Sequence, residues 1–307
     1  MNNLKTEFCG VTFSNPFILP SGFIGETPEN ERAIKAGVGG LTFKSLTALP
    51  RQGNPLPRVW RYNHGFLNSV GLRNPGIEKG LKEIVAFGKK HPQPPQIVSL
   101  FATKISEFVE LVEKAAEIKP DLIELNLSCP NVEDEFGASL GMAPDPALKI
   151  VKASKKIAGK VPVICKLSPN VVAIAEIAKA CESGGADAIS AINTVGPGML
   201  IDIKKRTPIL GAKKGGVSGP GIFPVALRCV YEIYEAVKIP ILGMGGITTV
   251  NDCVAMLMAG ATLLGVGTAT YLKGMGVYAE LAQGLADYLK TEKITNVSDL
   301  TGLAHQK

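Results

Sequence analysis

The sequence predicts a single (β/α)8 TIM barrel, and three observations predict it. Eight short apolar runs recur along the 307 residues, amphipathic segments lie between them, and no low-complexity linker divides the chain. Runs that are near-continuous in Val, Ile and Leu fit parallel strands covered on both faces. Strands alternating with helices make an α/β fold, and eight such repeats point to a closed barrel. An open doubly wound sheet is the alternative. Its GxGxxG fingerprint does not follow the first run, and "GMGGIT" comes late with the wrong glycine spacing. The chain is therefore read as one domain over 1–307, with long active-site loop insertions.

Taken in order, the strand candidates are "FILPSG" (17–22), "GLTFKS" (40–45), "QIVSLF" (96–101), "DLIELNLS" (121–128), "VPVICKLS" (161–168), "DAISAIN" (187–193), "IPILGMGG" (239–246) and "ATLLGVGT" (261–268). Between them, 103–119 carries Ile105, Phe108, Val109, Val112 and Ala116 on one helical face. Further helices are expected near 145–158, 171–184, 222–237 and 249–259. The last has a Thr or Asn cap at its start and Gly260 after its final apolar turn. Two stretches, 46–76 and 194–221, are Pro/Gly-rich and weakly periodic. Insertions of this length in a compact barrel are read as lids or binding loops.

Composition narrows the function. At 46% hydrophobic and 20% charged, the chain is globular rather than disordered. The net charge of +6 is modest and its Lys and Arg residues are scattered, so they read as solvated faces rather than a nucleic-acid footprint. The balance suits an anionic small ligand. Six cysteines include no CxxC pair and there are only three histidines, which argues against zinc and against an iron–sulfur cluster held by this chain. Thiols within apolar runs, as in "VPVICKL", fit a reducing cytosol. The opening "MNNLKTEFCG" has no secretory pattern, and no apolar run approaches about 18 residues, so a cytoplasmic protein is expected.

In such a barrel the residues just after each strand face one site. Here they are Ser21 and Gly22, Lys44 and Ser45, Ser99, then Asn126, Ser128, Cys129 and Asn131. Lys166, Asn193 with Thr194, Gly245 with Gly246, and Gly267 with Thr268 complete the rim. It holds no His and no carboxylate pair, which excludes two-carboxylate hydrolysis and a Ser-His-Asp triad. The asparagines can donate and accept at once, as a planar imide or carboxamide requires, although a lone Asn is more often a turn or cap residue. Lys44 and Lys166 lie in apolar strands, so each needs either a structural acid or an anionic ligand. The two Gly-rich strand ends offer bare N–H groups of the kind that bind phosphate in barrels, and "GGVSGPG" (215–221) could add more.

The motifs "NLSCPN", "FKSLTALPRQGNPLPR", "GFLNSVGLRNPG", "CKLSPN", "AINTVG", "GGVSGPGIFPVALR" and "GMGGI" with "GVGTA" resemble those of class 1 dihydroorotate dehydrogenases over about residues 7–290. "PRQGNPLPR" and "SGPGIFPVALRCVYEIY" are most like the class 1B catalytic subunit. The resemblance implies FMN-dependent oxidation of (S)-dihydroorotate to orotate in de novo pyrimidine (UMP) biosynthesis. Cys129 would remove the C5 proton while hydride passes from C6 to flavin N5. Lys44, Asn68, Ser69, Val70, Gly71, Leu72, Asn126, Asn131, Asn193 and Thr194 would hold the substrate. Ser21, Lys44, Ser45, Ser99, Asn126, Lys166, Ile192, Gly219, Gly245, Gly246, Gly267 and Thr268 would hold FMN. The segment 132–143 would be a mobile lid. No metal ligand is implied.

The 1B resemblance further implies a homodimer, in a heterotetramer with a subunit carrying FAD and a 2Fe–2S cluster that passes electrons to NAD. Fumarate is the alternative acceptor. Three positions depart from the family pattern: Ser99 stands where relatives carry Asn, "RVWRYNHGFLN" replaces the stretch leading to Asn68, and Phe223 stands where Lys is common. Two other readings stay open, a dihydropyrimidine dehydrogenase-type subunit acting on dihydrouracil and a flavin-binding barrel without turnover.

Overall fold

The computed structural model describes residues 4–22, 27–128 and 143–306, and in it eight parallel strands close into a barrel. They are β1 (Phe17–Leu19), β2 (Gly40–Thr42), β3 (Gln96–Leu100), β4 (Leu122–Asn126), β5 (Val163–Leu167), β6 (Ala188–Ala191), β7 (Ile241–Met244) and β8 (Leu263–Gly265). Each pairs with its neighbour in the chain, and β8 returns to β1 with Leu264 opposite Phe17. All eight fall inside the expected apolar runs. They are shorter because the last residues of each run leave the ladder to reach the rim.

Nine helices among the described residues surround the barrel: α1 (Thr27–Lys35), α2 (Ile77–Lys90), α3 (Ile105–Glu117), α4 (Pro144–Ala158), α5 (Ile174–Ser183), α6 (Phe223–Ala236), α7 (Val250–Met258), α8 (Thr268–Lys273) and α9 (Val277–Thr291). The sequence reading names α3 to α7 and omits the other four. In α3 the buried residues are Phe108, Leu111, Val112 and Ala115, so the inward face is turned slightly from the expected one. At the start of α7, Thr249 and Asp252 form a reciprocal capping box, as the cap signal predicts. Gly260 follows at φ +115°, and a Cβ there would stand 2.2 Å from the Tyr234 ring. A side chain is thus excluded by both conformation and space.

The barrel is closed at the end where its strands begin. A hairpin of Thr6–Phe8 and Val11–Phe13 inserts Phe8 and Phe13 beneath Ile18, Ile97, Leu122, Ile164, Ala188, Leu242 and Leu263. The two rings meet edge to face, with centroids 6.4 Å apart. Gly40 makes room for the plug, since a Cβ there would lie 2.7 Å from the Phe13 ring. The helices bury a second apolar layer against the outside of the strands. Cys165, Cys181, Cys229 and Cys253 are buried free thiols.

The two long insertions correct the expectation that they are loops. Strands Val59–Tyr62 and Gly65–Asn68 from the first pair with Val195–Gly198 and Gly215–Ser218 from the second, as one four-stranded antiparallel sheet. Asn68 lies opposite Gly216 across the central pair. The pattern is hidden in the sequence because the partners are far apart and small residues dominate. A Cβ on Gly65 would lie 2.0 Å from Ser218 O.

Candidate active site

Period-2 alternation along the strands builds the site in layers. Above the apolar plug, the inward positions of β3 to β6 turn polar: Ser99, Glu124, Lys166 and Ser190, all buried. One step further, Asn126 reaches the floor of a cavity of about 620 Å³ at the open end. That volume lies within the roughly 300–1,000 Å³ typical of ligand sites.

The cavity brings together most of the residues expected at the site. Ser21, Lys44, Ser45, Asn126, Lys166, Ile192, Asn193, Thr194, Gly245, Gly246, Gly267 and Thr268 line it, with Asn68, Ser69, Val70, Gly71 and Leu72 from the inserted sheet and its following turn. Two expected cofactor contacts do not line it. Ser99 is fully buried one layer down, hydrogen-bonded to Ser45 and Glu124, because its short side chain stops below the floor. Gly219 sits behind the wall, where its Cβ would lie 2.7 Å from Gly65 Cα and 3.4 Å from Thr268 Cγ2. Cys129, Asn131 and the expected lid up to residue 142 lie outside the described residues.

Both lysines stand without an acidic partner among the described residues. Lys166 is 4% exposed. Lys44 Nζ lies across Gly22, 3.1 Å from where a Cβ would be. Burial, reinforced by the charge of Lys166, pushes the Lys44 ammonium down to about 8. Two cations repelling each other over one cavity cost stability unless an anion arrives. Among the described residues no structural ion pair accounts for either lysine.

The amides are held by one another. Asn126 Nδ2 donates to Ser45 Oγ at 3.3 Å, and Ser128 donates to Asn126 Oδ1 through both its hydroxyl and its N–H. Asn193 Nδ2 donates to Ser128 Oγ, and its Oδ1 accepts from Thr194 N at 2.8 Å. Asn170, the last residue of the "CKLSPN" motif, accepts from Gly196 N at 2.8 Å and donates to Thr194 O at 3.2 Å, which pins the loop after β6. Asn54 is a further polar residue of the site. It lines the cavity and donates to Ser69 Oγ at 2.7 Å, tying two parts of the first insertion together at the cavity wall. Arg51, Thr103 and Tyr271 also line the cavity. Arg51 and Asn54 sat inside the quoted "PRQGNPLPR" motif, and Tyr271 belongs to the unanticipated α8.

Just after β7 and β8, the backbone N–H groups of Gly245, Gly246, Gly267 and Thr268 have no protein partner among the described residues. This array suits the oxygens of a phosphate. No group of His, Cys, Asp or Glu among the described residues could hold a metal ion.

Residues 3–289 match the sequence model of the dihydroorotate dehydrogenase family. Similar proteins include the dihydroorotate dehydrogenase B (NAD(+)) catalytic subunit of Pyrococcus abyssi, 45% identical over 302 residues, with 98% of this chain and 99% of that one aligned. The subunit of the same name from Methanosarcina mazei is 41% identical over 305 residues, covering 99% and 96%. That from Lachnoclostridium phytofermentans is 41% identical over 301 residues, covering 98% and 99%.

Proposed function

The chain belongs to the dihydroorotate dehydrogenase family, and on that premise we propose that it is the FMN-binding catalytic subunit of an NAD-linked enzyme. It oxidises dihydroorotate to orotate in pyrimidine biosynthesis. The observation that carries the cofactor assignment is the pair Lys44 and Lys166, which have no acidic partner among the described residues, in one cavity with glycine N–H groups that have no protein partner among those residues.

The residues present fit FMN. A flat, polar, anionic cofactor answers the asparagine floor and the two lysines, and its phosphate answers Gly245, Gly246, Gly267 and Thr268. When bound, FMN supplies the acceptor for the hydride leaving C6 of dihydroorotate. Lys166 holds positive charge at the buried side of the cavity. Lys44 serves substrate and cofactor together. Asn68, Asn126, Asn193 and Thr194, with Asn131, orient the pyrimidine ring and its carboxylate. Ser69 to Leu72 close the wall beside them, held by Asn54. Cys129 takes the C5 proton as its thiolate. The sequence places no His near it, so its activation draws on the lysines and the exclusion of water.

The family-level name of the relatives supports a second, electron-transferring subunit. We assign FAD and a 2Fe–2S cluster to it, with NAD as the final acceptor and a homodimer of this chain at the centre of the assembly. No described helix is long and apolar enough to cross a membrane.

The test is the purified chain itself. It should carry a flavin absorption spectrum, and stripped protein should regain it with FMN. Cys129→Ser should keep that spectrum while dihydroorotate bleaches it far more slowly than in the parent. A colourless protein that ignores added FMN would remove the cofactor assignment, and an unslowed Cys129→Ser would remove the base.

A further inference from the structure

Under the cavity floor, a buried carboxylate ends a chain of hydroxyls. Glu124, 1% exposed in the middle of β4, accepts from Ser99 Oγ at 2.9 Å and from Ser190 Oγ at 3.2 Å. No ion pair joins it to a cation among the described residues. Ser99 Oγ lies 2.9 Å from Ser45 Oγ, and Ser45 Oγ lies 3.1 Å from Ser21 Oγ and 3.3 Å from Asn126 Nδ2. Ser21 and Asn126 line the cavity.

A carboxylate has only lone pairs to offer, while a hydroxyl has one hydrogen and two lone pairs. Ser99 spends its hydrogen on Glu124 Oε1 and therefore accepts from Ser45. Ser45 in turn spends its hydrogen on Ser99, and accepts from both Ser21 and Asn126. Although it lines the cavity, Ser45 is then saturated. Ser21 has given away its hydrogen and turns only lone pairs to a ligand. Asn126 has filled its Oδ1 with the two donors of Ser128 and, among the described residues, keeps one Nδ2 hydrogen free. Remove the acceptor at the bottom and every hydroxyl above it is free to reverse.

We propose that Glu124 is a positioning residue: acting through Ser99, it fixes the direction of the Ser45–Ser21 chain, so that a ligand meets an acceptor at Ser21 and a donor at Asn126. This rests on the FMN reading only for the identity of that ligand. It also gives the departure at position 99 a role. A Ser too short to touch the ligand transmits the polarity of the carboxylate below.

The test compares the full-length chain with Ser99→Ala, Glu124→Leu, Glu124→Gln and the Ser99→Ala/Glu124→Leu double variant. FMN dissociation constants come from quenching of FMN fluorescence as stripped protein is reloaded. Ser99→Ala and Glu124→Leu should each weaken FMN by about tenfold, the equivalent of one hydrogen bond. Glu124→Gln should stay within about threefold, because its amide oxygen still accepts from Ser99 while its NH2 faces Ser190. The double variant should be no weaker than either single one, since both cut the same chain. Glu124→Gln as weak as Glu124→Leu, or a double variant weakened about a hundredfold, would overturn the proposal. Melting temperatures of the FMN-free proteins read the chain without any ligand. Losses from the two single variants that fail to add support it, and losses that add overturn it. A parent that takes up no FMN would defeat the cofactor reading, and these melting temperatures would still decide the chain.

Discussion

Lys44 is the residue on which the electrostatics of the site turns. Its ammonium is pushed down to about 8 by burial and by Lys166, so it is charged below that pH and neutral above it. An anionic ligand should therefore bind the free site best below pH 8. Affinity for orotate should fall on the order of tenfold per pH unit above 8, until the raised pKa of the complex is reached. A titration of the orotate dissociation constant from pH 7 to 9.5 reads this limb directly. Lys44→Ala should bind orotate weakly throughout, and its profile should lose the limb. A parent profile flat across that range would detach Lys44 from the ligand. Much at this scale was legible in the sequence, because a lysine in an apolar strand is costly and the rim of a barrel is a known place. The roles of Ser99, Asn54 and Asn170 were not. Each acts through a hydrogen bond to a residue distant in the chain, and a polar residue in a turn carries no sign of which partner it meets.

Among the elements, the inserted sheet decides the shape of one cavity wall. Its central pair places Asn68 opposite Gly216, and Asn68 Nδ2 donates to Gly216 O at 3.3 Å. Gly216 has no Cβ because Thr194 occupies the space, its Oγ1 2.1 Å from where one would stand. Gly216→Ala should displace Thr194 and raise the KM for dihydroorotate about tenfold, while FMN content and melting temperature change little. Steady-state kinetics beside a flavin absorbance ratio checks the split, and an equal loss of FMN would show that the sheet supports the whole cavity instead. The barrel strands were readable because their apolar runs are continuous. This sheet was not, since its strands are rich in Gly and pair across a separation of 148 residues. Similarly, α2 carries a clear apolar face of Ile77, Leu81, Ile84 and Phe87, yet it follows a Pro/Gly-rich stretch that read as one long loop.

At the scale of the whole molecule, stability and chemistry occupy opposite ends of one barrel. The hairpin plug with Phe8 and Phe13 closes the end where the strands begin, and the lysines and asparagines of the cavity lie toward the other. Phe13→Ala should cost about 3–5 kcal/mol of stability by opening a cavity in the plug. Denaturant unfolding would register that loss, while activity per mole of bound flavin in the folded fraction should match the parent. The central claim concerns the other end, where two lysines and a set of amides are matched to a carboxylated dihydropyrimidine and a flavin. Its most direct measurement is anaerobic mixing of the FMN-loaded protein with dihydroorotate or with dihydrouracil, followed by flavin absorbance. Dihydroorotate should bleach the flavin within the time of mixing and assay, with orotate as product, and dihydrouracil should leave it yellow. Bleaching by dihydrouracil alone, or by neither compound, would contradict the assignment.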